Sequence, residues 1–166
     1  VGPHTDLETL PPVKDVYVTM LPGGDYKETA AKSGDLVKKG FNPVPHFPAR
    51  SILDEQQLKD FITRCKDVGT KQALVIGGSR DPIGKFDSSI QILETGFFEG
   101  IKIGIAGHPE GSPDISDKEL EKAMMDKKPY ADYIVTQWLL DSQPIVDFIS
   151  KQSVPVHVGI TGPMKI

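Results

Sequence analysis

Six short runs of β-branched and apolar residues recur along this chain, with starts roughly 20 to 30 residues apart, and each gives way to a polar loop and a helical pattern. This strict alternation constrains the fold more than any other feature. Successive strands separated by helices cannot pair through hairpins, so they must pair in parallel, with right-handed crossovers. The chain is therefore expected to be an α/β protein with a parallel sheet. Its 166 residues suit one domain.

The unit around residues 101–110, I-K-I-G-I-A-G-H-P-E, shows the plan. It begins as a buried strand and ends as a polar loop, and Ser116 and Glu119 then have the spacing of a capping box that opens a helix. In parallel α/β folds ligands sit at the carboxyl ends of strands, where His108 and Glu110 stand. Upstream, residues 16–20 read as a strand and residues 27–39 as a helix with Ala30, Ala31 and Val37 inward, stopped by Gly40. Residues 42–47, N-P-V-P-H-F, read as a strand whose two prolines argue against a regular central position. Asp54 and Gln57 cap the next helix, with Leu58, Phe61, Ile62 and Cys65 on one face. Residues 73–76 resemble a strand buried on both faces, and residues 87–97 a helix with Ile90, Leu93 and Phe97 inward. Downstream, the helix from Ser116 turns Leu120, Ala123 and Met124 inward. Residues 133–137 are a strand, and a helix with Pro144 in its first turn buries Ile145, Phe148 and Ile149. Residues 154–160 form the last strand, and residues 163–166 read as the end of a strand.

Net charge is −4, so counterion release favours no nucleic-acid partner. No apolar run approaches the roughly 20 residues of a membrane span, and no basic region precedes an apolar one as in a secretory signal. The single cysteine, Cys65, falls on an apolar helix face and is expected to be a small core residue. These features point to the cytoplasm. The chain opens Val1-Gly2-Pro3, without methionine, and is expected to be one domain spanning 1–166, incomplete at both ends.

The common nucleotide and hydrolase fingerprints are absent: no G-x-G-x-x-G opens a helix after the first strand, and there is no Walker A sequence or G-x-S-x-G elbow. One cysteine and four scattered histidines make no zinc pattern, so no metal is expected. What remains is a set of polar strand ends: Thr19, then His46 and Arg50, then Gly77 to Asp81, then His108 and Glu110, then Gln137. A barrel would gather such ends around one axis.

With A-G-H-P-E-G at 106–111, I-V-T-Q at 134–137, V-P-H-F-P-A-R-S at 44–51 and Val18-Thr19, in this order and spacing, nearly the whole chain resembles the methylenetetrahydrofolate reductase family. The resemblance implies a parallel (β/α)8 TIM-type barrel, of which about six βα units are represented here. It implies non-covalent FAD, NAD(P)H as hydride donor and a tetrahydrofolate-type substrate, 5,10-methylenetetrahydrofolate. By position, Thr19, His46, Gly77, Gly78, Ala106 and His108 would line the flavin, His108 taking the place of an aromatic residue common in the family. Lys127 and Lys128 match a basic pair that meets the FAD phosphates, and Gln137 a glutamine that hydrogen-bonds the pterin. The family's Arg-Gly-Asp-like turn reads Gly77-Gly78-Ser79 here, which puts Ser79 at the carboxylate position, with Asp81 two residues on. Ser112 stands where the family has a histidine, and the family's general-acid glutamate would precede Val1. A homo-oligomer is expected. Two other functions remain open on the same fold: a flavin-free tetrahydrofolate-binding methyltransferase or demethylation protein, and a non-catalytic ligand-binding homologue.

Overall fold

The computed structural model describes residues 1–113 and 115–161. The described residues form six strands that alternate with five α-helices, and the strand pairings described within each of the two compact units are parallel, so the α/β class holds. The units are Val1–Ile103 and Gly104–Ile166. Residues 163–166, expected to end a strand, lie outside the described residues. No helix among the described residues is long and apolar enough to cross a membrane.

In the first unit, β1 (Asp15–Val18), β2 (Asn42–Pro48) and β3 (Gln72–Ile76) lie side by side in chain order. The prolines of β2 do not demote it from the centre. Asn42 donates its N–H to Lys14 O (2.8 Å), towards β1. Alternate residues of a strand face alternate neighbours, so the donors missing at Pro43 and Pro45 belong to the β3 side. There the pairing begins only at His46, opposite Leu74, once both prolines are past.

The helices of this unit start and stop by local chemistry. Asp25 caps α1 (Tyr26–Lys38), accepting from Lys27 N–H, and Asp54 caps α2 (Glu55–Asp67), accepting from Gln57 N–H. The face α1 buries is Thr29, Ala30, Ser33, Gly34 and Leu36, whereas Ala31 is exposed and Val37 only half-buried. A Cβ at Gly34 would come within 3.1 Å of Val68, so small residues rather than a wide apolar stripe let α1 approach α2. α2 buries Leu58, Phe61, Ile62 and Cys65 as expected. Phe47 of β2 lies 4.1 Å from Phe61 and 5.1 Å from Phe98, ring centre to ring centre. The third helix, α3 (Ser89–Leu93), is half the expected length. The Ser88–Gln91 capping box delays its start, and Gly96, at φ +70°, ends it before Phe97.

The second unit carries β4 (Lys102–Gly107) from Gly104 onward, β5 (Tyr133–Trp138) and β6 (Val156–Gly159), again in chain order. Ile105 and Ile134 are its fully buried centre. Ser116 and Glu119 form the expected capping box at the start of α4 (Asp117–Lys127), and Asp141 caps α5 (Ser142–Ser150). The inward faces expected of these helices are not buried. Leu120, Met124, Ile145 and Phe148 are half-buried, and Ala123 and Ile149 are exposed. Leu120, Ala123, Met124 and Phe148 line a cavity of about 590 Å³ instead.

Candidate functional site

In the first unit, Thr19 follows β1 directly and donates its N–H to Val1 O (2.8 Å), while the Val1 ammonium donates to Tyr17 O (2.7 Å). Val1 therefore bonds the free edge of β1 as a residue of a neighbouring parallel strand would. His46, at the end of β2, has its ring centre 6.0 Å from that of Tyr17, edge to face. Its buried Nε2 has no hydrogen-bond partner among the described residues. Burial pushes the imidazole down to about 4, so it is neutral near pH 7.

The loop after β3 is pinned by Arg50. The Arg50 N–H donates to Gly77 O (2.9 Å), its Nε to Asp87 O (2.8 Å) and its Nη1 to Gly78 O (3.4 Å), and Ile83 N–H returns a bond to Arg50 O (3.1 Å). Gly78 sits at φ +97°, where a side chain would be strained and its Cβ would touch Pro48. The brace leaves Ser79 and Asp81 exposed at the loop tip, with Gly77 and Gly78 half-buried below them.

The second unit brings four expected residues onto one cavity. Ala106 and His108 reach it from the end of β4, Lys127 and Lys128 from the end of α4, and Gln152 from beyond α5. Lys127 is the unusual member. It is 9% exposed and the only buried residue of α4. Its ammonium makes no hydrogen bond or ion pair among the described residues, although Glu110, Asp117 and Glu121 line the same cavity. Burial lowers its affinity for a proton. Burial, and then the Lys127 charge, also hold the His108 imidazole below its ordinary value. A cation on a buried side chain, facing a cavity without a counter-ion, is costly unless an anion satisfies it. Gln152 Oε1 is a second orphan, a buried acceptor without a partner, while its amide nitrogen donates to Phe148 O (3.0 Å).

Gln137 is not on that cavity. It is exposed and lines a second one, with Glu110, Trp138, Leu139, Leu140 and Asp141. Glu110 lines both. Sequence reasoning passed over Trp138, Gln152 and Gly159. Gly159 alone left a signal, a glycine inside a strand pattern, which marks a bulge or a close backbone approach. Among the described residues no group of three or more His, Cys, Asp or Glu could hold a metal ion. No protein-family model matches the chain.

Proposed function

We propose that the protein is a flavin-dependent oxidoreductase of one-carbon metabolism, similar to methylenetetrahydrofolate reductase, built on a (β/α)8 barrel. The observation that carries the proposal is Lys127, buried and without a counter-ion, on a cavity shared with His108 and Ala106. That donor set fits the phosphates of FAD. Lys127 supplies a charge whose desolvation has already been met in the folded protein, so a phosphate regains that cost on binding. Lys128 adds a second cation at the cavity wall. His108, whose imidazole burial and the Lys127 charge hold below its ordinary value, offers a flat surface and a ring N–H beside Lys127.

A bound flavin supplies the acceptance and return of a hydride, which no side chain can provide. The protein's own part is to bind and orient. Gln137 presents an amide, donor and acceptor together, to the edge of a folate ring. His46, neutral and with an orphan Nε2, can bond a ligand group without introducing charge. By resemblance to the family Ser79 takes the sequence position of a carboxylate that would steady a cationic folate, and NAD(P)H is the proposed hydride source. Titration of the full chain with FAD, followed by flavin fluorescence, tests the reading. Saturable binding supports it, and no binding at micromolar FAD removes it.

A further inference from the structure

β5 is not a regular strand at its end. Val135 pairs with His157 and Trp138 with Gly159, so three steps along β5 match two along β6. The extra residue is a β-bulge at Thr136–Gln137. Two features hold it. The Thr136 hydroxyl accepts the Gly159 N–H (2.9 Å), a side-chain bond between the two strands at the bulge. A Cβ on Gly159 would lie 2.8 Å from the Gln137 carbonyl and from Thr136 O, so only glycine admits the bulge. Consecutive side chains of a regular strand point to opposite faces. Here Gln137 and Trp138 line the same cavity, of about 590 Å³. Trp138 keeps 58% of its surface exposed and Leu140 80%, while the Glu110 carboxylate shares the wall. An amide beside an open indole face is a pair suited to a flat heterocycle, the amide reading its edge and the indole stacking on its face.

We propose that the Thr136–Gln137 bulge makes Trp138 the stacking wall for the 2-amino-4-oxo ring whose edge Gln137 reads, with Thr136 and Gly159 as positioning residues. The inference rests on the folate reading for the identity of the ring. Trp138 is the only tryptophan in the chain, so its emission reports on this cavity alone.

The test is calorimetric titration of the full chain with folic acid, alongside Trp138 emission corrected against free N-acetyltryptophanamide. Folic acid should bind and quench saturably. Trp138→Ala should weaken its binding by at least about fivefold in calorimetry, the lower end of what stacking on an aromatic residue contributes. Thr136→Val should weaken binding and blunt the quench, and Thr136→Ser, which keeps the hydroxyl, should restore both. Gly159→Ala is not needed for the decision, so a failure of that variant to fold costs nothing. Binding without quenching, or binding that Trp138→Ala and Thr136→Val leave unchanged, overturns the inference and spares the folate reading. Quenching by folic acid in a protein that takes up no FAD supports the inference and removes the flavin reading. No heat with folic acid, or tighter binding of adenosine monophosphate than of folic acid, overturns it.

Discussion

Replacing Lys127 by methionine should move stability and cofactor binding in opposite directions. The Lys127 side chain is buried and its ammonium, on the cavity wall, has no partner among the described residues, so burial penalises its charge in the ligand-free protein. Methionine has a stem of similar length and fills the same space without the charge. The ligand-free variant should gain about 2 kcal/mol, which for a chain of this size raises Tm by roughly 4–8 °C. In the proposed FAD site the same substitution would remove a charge-assisted hydrogen bond to phosphate. Such bonds contribute about 1.5–3 kcal/mol, so FAD should bind about 10- to 100-fold more weakly. Scanning calorimetry without ligand and flavin fluorescence titration read the two effects. A variant that melts lower than the wild type and binds FAD equally well would refute the reasoning. Lys127 would then be a lysine whose stem packs and whose charge reaches water.

His46 should make stability depend on pH. Its folded value of about 4 lies below the ordinary 6.5, so the unfolded chain takes the proton first; stability is complete above pH 6.5 and falls towards pH 4, by at most about 3 kcal/mol. His46→Phe should flatten that part of the urea-denaturation profile, and an unchanged profile would contradict the burial of its ring. Burial pushes the Cys65 thiol up to about 12, so a thiol reagent should label it only as fast as the protein unfolds. Rapid labelling of the native protein would place it outside the core. Ser79→Asp should speed hydride delivery to methylenetetrahydrofolate in stopped flow by at least about tenfold, a modest share of what one carboxylate near a cation can contribute. An unchanged or slower half-reaction would direct attention to Asp81.

The order and type of the elements could be read in the sequence because each is specified locally. The capping residues Asp54 and Ser116 bond as their spacing implies. The Phe61–Cys65 face is buried because its 3.6-residue period faces β2. What the sequence concealed depends on neighbours. The inward faces of α4 and α5 look like core in the pattern, yet they border a cavity, and periodicity cannot tell packing from lining. α3 is short because a capping box and a positive-φ glycine outweigh its apolar spacing. Lys127 and Lys128 looked equivalent, and only the fold separates the buried lysine with its unpartnered ammonium from its half-buried neighbour. The β5 bulge needs both strands to be seen, because register is a property of the pair.

The central proposal is that the protein uses bound flavin to reduce a folate. Its most direct test is the absorbance spectrum of the protein after exposure to FAD and removal of free ligand, recorded before and after NAD(P)H and again after methylenetetrahydrofolate. The account predicts a yellow protein that NAD(P)H bleaches and the folate recolours. A colourless protein, or a bound flavin that neither compound affects, would contradict it.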